Sequence, residues 1–185
     1  MPKRSQEHMD ARRRQILDGA RRTFAHHGYE GATVARLERQ IGLSRGAIFH
    51  HFPSKWDIFY ALAEEDFSQV TELWVAQGYE AVVRFMVEQS PDWLGVYAEL
   101  TRQIRTRPEL QEQWERRNPE LKARIEQRLQ EQQRAGEIRA DFTVEELAGF
   151  LAVVVDGLAL HTSFGFREDV DGLLRLVHAA LAPPA

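Results

Sequence analysis

The sequence contains no cysteine. Disulfide bridges, thiolate metal sites and thiol nucleophiles are therefore excluded, and such a chain suits a reducing compartment such as the cytoplasm. Long apolar segments are also missing. The charged N-terminal stretch has no signal-peptide core, and the longest apolar run, at 150–155, is far too short to span a bilayer. The sequence thus predicts a cytoplasmic protein with no membrane partner.

Motifs for catalysis are missing as well. The chain has no glycine-rich phosphate loop, no G-x-S-x-G turn and no H-E-x-x-H sequence. Asp156 and His161 lie five positions apart on one predicted helix, which is a poor spacing for a catalytic pair. We therefore expect no enzyme, no catalytic residues and no metal site built from the protein's own side chains.

The charges divide the chain into two parts. Residues 1–55 hold 11 Lys and Arg against 5 Asp and Glu, a net charge of +6, whereas residues 56–185 hold 13 against 23, a net charge of −10. Five of the seven histidines also lie in the first part. Because phosphate neutralisation by Lys and Arg supplies most non-specific affinity for nucleic acid, the simplest interpretation is a polyanion partner for residues 1–55. A basic surface without a partner is the alternative.

Nearly every segment shows the apolar spacing of a helix. Ile16 and Phe24 lie on one stripe of a long first helix, and Gly28 is placed to end it. Thr143, with Glu146 three positions later, predicts a capping box. Together with the Gly and Pro breaks, this pattern predicts an all-α fold of about nine helices, at roughly 9–27, 34–41, 45–52, 55–76, 79–89, 91–106, 108–134, 143–164 and 168–182.

Two short helices near the N-terminus are joined by a tight turn. Thr33 is a good N-cap for the first of them, Gly42 ends it, Ser44 caps the second and Pro53 ends that one. Two short helices joined in this way are a helix-turn-helix motif. The first three helices then form one domain over residues 1–55, and residues 56–185 form the rest.

The second helix of such a motif enters the major groove of DNA with its N-terminal turn. Arg45 can donate two parallel hydrogen bonds to guanine, and Phe49, one turn later, can contact a thymine methyl group. Gly46 costs about 0.8–1.0 kcal/mol relative to alanine in an isolated helix. Close approach of the backbone to DNA is one candidate to offset that cost.

Phosphate contacts are expected around these base-reading residues. His50, His51 and Lys55 follow at the helix end, and Thr33 and Ser44 head helices whose free backbone N–H groups can receive phosphate. For one of the two histidines, a hydrogen-bonded position in the core is the alternative. Adjacent helical residues point about 100° apart, so the pair is a poor metal site.

The run 16–62 (ILDGARRTFAHHGYEGATVARLERQIGLSRGAIFHHFPSKWDIFYAL) resembles the DNA-binding domain of the TetR family of bacterial transcription regulators. The similar features are, in order, an aliphatic-Ala-Phe first helix, Gly28-Tyr, Thr33-Val, Gly42-Leu-Ser, a helix ending in His-Phe, and a Lys before the fourth helix. The resemblance implies base contacts by Arg45, Gly46 and Phe49 and backbone contacts by Thr33, Ser44, His50, His51 and Lys55. Phe49 and His50 stand where that family usually has tyrosine, so an operator sequence is not transferable.

The same resemblance assigns effector binding and homodimerisation to residues 56–185, with the last two helices of each subunit forming a four-helix bundle. The predicted helices 143–164 and 168–182 suit this role because they carry more apolar residues than one small core needs. Gly149, Ala152 and Gly157 allow close helix approach. A dimer also addresses two half-sites of a palindromic operator, roughly 34–36 Å apart or a multiple of that. An ordinary intramolecular helix pair is the alternative.

Five residues are candidates for binding an effector: Trp93, Tyr97, Arg128, His161 and His178. Aromatic residues in a plain core and arginines on the surface are the alternatives. The pattern at 102, 114, 128–129, 136, 139–141 and 155–157 resembles the aconitase-repressor subgroup of the family. That resemblance implies a carboxylate effector such as citrate with a divalent cation, a carboxylate contact by Arg128, and an acidic residue near the position of His178.

The sequence therefore predicts a homodimeric repressor whose binding to double-stranded DNA is modulated by a small-molecule effector. Repression is expected because no activation surface is visible and a dimer on a promoter blocks polymerase. The alternative from another class is a helical adaptor whose basic N-terminal surface binds a protein or a membrane.

Overall fold

The computed structural model describes residues 3–117 and 119–184. Ten helices and no strand make up this part of the chain, so the predicted all-α fold is confirmed. In chain order the helices are α1 (Lys3–Gly31), α2 (Val34–Ile41), α3 (Arg45–His51), α4 (Lys55–Gln77), α5 (Tyr79–Glu88), α6 (Pro91–Thr106), α7 (Pro108–Arg117), α8 (Pro119–Arg134), α9 (Val144–Ser163) and α10 (Val170–Leu181).

Two predicted helices differ from the structure. The first begins at Lys3 rather than near Met9. The single helix predicted over 108–134 is two helices, α7 and α8, and the second begins at Pro119. Proline suits the first position of a helix because the N–H that it lacks would have no partner inside the helix. This division accounts for the tenth helix.

The break predicted at Gly28 lies within α1. Gly28 has φ 63° and ψ 174°, which interrupts the helix before a last short stretch to Gly31. A positive φ of this size is open to glycine at little steric cost. The glycine therefore ends the long straight part of α1, as the sequence predicts.

The residues predicted to cap helices do so at the starts of α2, α3 and α9. The side-chain oxygens of Thr33 and Ser44 each accept the backbone N–H three positions later, at 3.4 Å. At the start of α9 the capping box is complete, since Thr143 and Glu146 each accept the other's backbone N–H, at 3.2 and 2.7 Å. These bonds satisfy N–H groups that the helix itself leaves unpaired.

The helices pack into two compact units. The first comprises the chain up to Asp66 together with Ser90–Thr106. In it α1 packs against α2 and α6, around a core that includes Ile16, Ala20, Phe24, Leu37, Ile48, Phe52 and Phe59. The second comprises Phe67–Gln89 and Arg107–Ala185, where α9 packs against α5 and α8 around Val82, Val83, Met86, Leu129, Leu151 and Leu174.

The predicted domains, 1–55 for DNA binding and 56–185 for effector binding and dimerisation, are defined by function and not by packing. They stay a prediction, because the two packing units do not test them. None of the helices in the described ranges combines the length and the apolar character needed to cross a membrane.

Candidate functional site

α2 and α3 are held in a fixed position against α1. The turn after α2 places Gly42 at φ 75°, and its N–H donates to the Glu38 carbonyl at 2.9 Å. Gln15 Nε2 donates to the carbonyl of Ile41 at 3.0 Å. A Cβ on Gly19 would lie 2.7 Å from Cγ1 of Ile41, so α1 and α2 approach too closely for any larger residue there. The third helix is therefore presented on a rigid support.

The N-terminal turn of α3 faces solvent. Arg45 and Gly46 are exposed, and a Cβ on Gly46 would meet no atom within 4 Å. Phe49 is half-buried, and its ring centroid lies 5.8 Å from the Arg45 guanidinium carbon. The backbone N–H of Arg45 donates to Glu38 Oε1 at 2.6 Å, which ties the start of α3 to α2. The structure thus gathers the three predicted base-reading residues on one open surface.

Thr33 and Ser44 begin α2 and α3 on the exposed side of the motif. Each hydroxyl oxygen accepts a backbone N–H as a cap, yet a hydroxyl keeps its own hydrogen to donate. Both residues can therefore cap a helix and donate to a phosphate oxygen at the same time.

His50 and His51 lie at the end of α3, with ring centroids 5.4 Å apart and ring planes at 84°. The pKa of His51 is lowered by partial burial and by the positive charges of His50, Arg12, Arg13 and His8. An anion such as phosphate reduces the repulsion between positive charges in a cluster of this kind.

Arg12 and Arg13 belong to this cluster, although no pattern in the sequence predicted that they would. Arg13 lies 4.3 Å from the centroid of the Phe52 ring, which places α1 beside the end of α3. The three consecutive arginines at 12–14 were the feature that could have drawn attention to them. Because these arginines lie far along the chain from the histidines, no local pattern predicts that their charges act on His51.

Lys55 does not stand free at the start of α4. Its Nζ donates to the backbone carbonyl of Tyr29 at 2.6 Å and lies 4.2 Å from the centroid of the Tyr29 ring. The side chain is half-buried and links α4 to the turn after the break in α1. Lys55 therefore has a structural role that the sequence did not predict, and its predicted phosphate contact stays a prediction.

The second unit contains a cavity of about 450 Å³. Its apolar lining includes Trp74, Leu129, Ile138, Leu151 and Leu181, and its polar lining includes Tyr79, Glu80, Arg128, Glu137 and His178. Two of the five predicted effector-binding residues, Arg128 and His178, thus line one space. A volume of this size accommodates a small organic molecule.

Two residues of the lining carry a buried donor that has no hydrogen-bond partner among the described residues: Tyr79 at its hydroxyl and Arg128 at Nε. Burial raises the pKa of Tyr79, so its hydroxyl stays protonated and able to donate. A buried polar group without a partner costs free energy unless a ligand or water satisfies it. Tyr79 was missed from sequence because nothing local distinguishes it from a core aromatic residue.

The other three predicted effector-binding residues do not line this cavity. Trp93 is buried in the first unit, where Tyr97 stacks on it with centroids 5.5 Å apart. His161 is exposed near the end of α9, and its Nδ1 lies 2.7 Å from Glu168 Oε1. In residues 3–117 and 119–184, no group of three His, Asp or Glu side chains is placed to hold a metal ion.

Comparison with known proteins agrees with this architecture. Residues 16–62 match the family described as bacterial regulatory proteins, tetR family, and residues 75–183 match the C-terminal domain of BetI-type transcriptional repressors. The chain belongs to the TetR family. The first match contains every predicted DNA-contacting residue, and the second contains nearly all of the cavity lining.

Several relatives in the TetR family are similar along most of their length. The chain is 44% identical to the HTH-type transcriptional repressor Rv1474c of Mycobacterium tuberculosis over 89% of both chains. It is 43% identical to the repressor AcnR of Corynebacterium glutamicum over 91% of this chain and 92% of that one. These relatives regulate transcription, so the alternative of an adaptor protein loses its support.

Solved structures show the same TetR fold. Salmonella enterica GusR superposes with a TM-score of 0.78 at 21% identity, covering 92% of this chain and 95% of that one. A transcriptional regulator from Rhodococcus sp. RHA1 superposes with a TM-score of 0.69 at 21% identity, over 91% and 95% of the two chains.

Proposed function

We propose that this TetR-family protein is a homodimeric repressor that binds a palindromic operator in double-stranded DNA through α3, and that a small molecule modulates this binding. The observation that carries the proposal is the open N-terminal turn of α3, where Arg45 and Gly46 are exposed and the half-buried ring of Phe49 lies beside Arg45. We place the protein in the cytoplasm, where its DNA target lies, and assign it no catalytic role.

Base reading follows from the chemistry of this turn. The guanidinium of Arg45 can donate to O6 and N7 of one guanine, and the Phe49 ring can contact a thymine methyl group. Gly46 presents only backbone, so the helix can lie deep in the major groove. Around these three residues, Thr33, Ser44, His50, His51 and Lys55 supply hydroxyl, imidazole and ammonium donors to phosphate oxygens.

An apolar surface on α9 and α10 supports the dimer. Val153 and Leu176 are each 71% exposed, and Phe150 and Leu160 are also exposed. A Cβ added at Gly149 or Gly157 would meet no atom within 4 Å, so both glycines of α9 lie on an open face. Large exposed apolar residues on the last two helices of the chain mark an interface, and α9 and α10 of a second copy would cover them as a four-helix bundle.

The cavity of the second unit is the proposed effector site. Arg128, Tyr79 and His178 line it, and Nε of Arg128 and the hydroxyl of Tyr79 are buried donors without a partner among the described residues. Such a donor set fits a carboxylate, which accepts hydrogen bonds at two oxygens. The side chains do not fit a divalent cation held by the protein alone, since no cluster of three metal-binding side chains occurs in the described ranges.

Modulation requires that the effector bind two states of the dimer unequally. An effector that favours a dimer with its two recognition helices at the wrong separation releases DNA, by no more than its difference in affinity for the two states. A dimer left on a promoter blocks polymerase, so release relieves repression.

The proposal is tested by capturing genomic DNA fragments with the purified protein, with and without citrate and related carboxylates. We expect the fragments to share a palindromic sequence and their recovery to change with an active carboxylate. Arg128→Gln should abolish the carboxylate response and retain DNA capture, whereas Arg134→Gln, an exposed control on the same helix, should retain both. Fragments with no shared sequence would contradict the proposal that the protein recognises an operator. An Arg128→Gln protein whose DNA capture still changes with the carboxylate would contradict the placement of the effector site.

A further inference from the structure

A second cationic site lies in the first unit, away from the exposed turn of α3. It is a cleft of about 310 Å³ between the C-terminal half of α1 and the outer face of α2. The side chains that line it are Arg22, Thr23, His26, His27, Arg36, Arg39 and Gln40. Three arginines and two histidines therefore line the cleft, and none of the lining residues that the structure describes is acidic.

The arginines of the cleft have guanidinium donors that a ligand can reach. Arg22 and Arg39 are exposed and have no hydrogen bond or ion pair with the described residues. Arg36 donates from one guanidinium nitrogen to the carbonyl of Gly31 at 2.6 Å, which fixes the side chain and leaves its other donors available. Nε2 of His26 lies 3.5 Å from Oδ1 of Asp92, so the donors left for a ligand are those of the arginines.

The shape of the cleft is set before any ligand binds. The close approach of Gly19 to Ile41 fixes the distance between α1 and α2, and the Thr23 hydroxyl is buried and donates to the Gly19 carbonyl at 2.9 Å. A rigid recess with several guanidinium groups matches the oxygens of a phosphate, which accept hydrogen bonds in several directions.

One residue of the cleft, Arg36, is linked by a hydrogen bond to the predicted phosphate contact Thr33. Arg36 lies in the first turn of α2, and its backbone N–H is the one that Thr33 caps. A DNA strand with a phosphate at Thr33 would pass near Arg36, and the cleft that Arg36 shares with Arg22 and Arg39 would then be within reach of the next phosphates along that strand.

We propose that this cleft is an additional phosphate-binding site, and that it holds a backbone phosphate of operator DNA outside the base pairs read by α3. The inference rests on the proposed function. The cleft adds one phosphate contact in each protomer. This contact contributes affinity and salt dependence to DNA binding but no sequence preference.

The test compares two double variants with equal loss of charge. Arg22→Gln with Arg39→Gln removes two arginines of the cleft, and Arg105→Gln with Arg134→Gln removes two exposed arginines elsewhere. The dissociation constant is measured against salt concentration on a long duplex and on one trimmed to the base pairs that α3 reads. Since each neutralised phosphate contributes about 0.9 to the slope of log K against log salt, we expect the cleft variant to reduce that slope by roughly 2 per dimer.

The reduction should appear on the long duplex, apply alike to specific and unrelated sequences, and vanish on the trimmed duplex. An unchanged slope for the cleft variant, or an equal reduction in the control variant, would overturn the inference. The failure of the proposed function looks different, because the unmodified protein would then show no sequence preference at all.

A second arm separates DNA from a free anion. Binding of inorganic phosphate to the DNA-free protein is followed by phosphorus NMR line broadening at constant ionic strength. If the cleft variant loses this broadening while its DNA slope stays unchanged, the site binds free phosphate and the assignment to operator DNA is wrong.

Discussion

Nζ of Lys55, at the first position of α4, donates to the backbone carbonyl of Tyr29 at 2.6 Å and lies 4.2 Å from the centroid of its ring. The N–H of the same Tyr29 donates to Oε1 of Glu99 on α6 at 3.0 Å. The residue after the break at Gly28 thus ties the end of α1 to both α4 and α6. These bonds position the start of α2, which leads into the surface proposed to contact DNA.

The contact with Tyr29 predicts that Lys55→Ala affects folding as well as DNA binding. Loss of a charge-assisted hydrogen bond and a cation–π contact should lower the free energy of unfolding by about 1–2 kcal/mol. Urea unfolding measures this, and Lys122→Ala, at an exposed lysine of α8, is the control. An Lys55→Ala protein that binds DNA more weakly with unchanged stability would show that Lys55 serves DNA alone.

The pair Arg21 and Asp66 predicts a larger loss of stability. The two guanidinium nitrogens of Arg21 donate to the two oxygens of Asp66, both at 2.7 Å, and the Asp66 side chain is only 4% exposed. Arg21→Ala leaves a buried carboxylate without its partner and should cost about 3 kcal/mol. The double variant Arg21→Met with Asp66→Leu should recover most of that loss in thermal unfolding. A single variant as stable as the unmodified protein would contradict the pairing.

Glu99 predicts a pH dependence of stability. Burial alone would raise its pKa, but hydrogen bonds from Arg102, Gln103 and the Tyr29 N–H outweigh it and hold the pKa below the ordinary value of 4.5. A carboxyl group with a depressed pKa stabilises the fold above its ordinary pKa, and this stabilisation is lost as the pH falls through the folded-state pKa.

We therefore expect Glu99→Gln to be less stable than the unmodified protein at neutral pH, by about 1–2 kcal/mol. The difference should narrow steadily as the pH is lowered from about 5 towards 3, because both proteins then carry a neutral group at this position. Thermal unfolding across this range measures it. A difference that stays constant with pH would mean that the charge of Glu99 contributes nothing.

The exposed face of α9 and α10 predicts that Leu176→Glu separates the dimer. A buried charge in an apolar interface is costly, so the variant should sediment as a monomer with its helical content retained. Its affinity for a palindromic operator should fall because only one half-site is held at a time. Gln130→Glu adds the same charge at an exposed position of α8 and should stay dimeric. A dimeric Leu176→Glu protein would place the interface elsewhere.

Local features of the fold could be predicted from sequence because their causes are local. The caps at Thr33, Ser44 and Thr143 depend on residues three positions apart, and the breaks at Gly28 and Gly42 depend on single residues that tolerate positive φ. The division between α7 and α8 was missed because the apolar spacing on either side of Pro119 continues with a helical period.

Contacts between distant residues could not be predicted in the same way. Lys55 and Tyr29 lie 26 positions apart, and no pattern in the sequence pairs them. For the same reason, only some of the predicted effector-binding residues line the cavity. Arg128 and His178 do, whereas Trp93 is buried in the other unit. An aromatic residue at helical spacing fits a core or a cavity equally well, and only tertiary packing decides between them.

The most direct test of the account is the sequence discrimination of Arg45→Ala, measured as the ratio of dissociation constants for the captured operator and for versions with single base-pair changes. A bidentate arginine–guanine contact contributes about 1–3 kcal/mol of discrimination between base pairs. We therefore expect that, at one base pair per half-site, the preference of the variant for the operator over the changed sequence falls roughly tenfold or more. Discrimination at the other positions and binding to unrelated DNA should change little. A variant that discriminates as the unmodified protein does would contradict the claim that α3 reads the operator through Arg45.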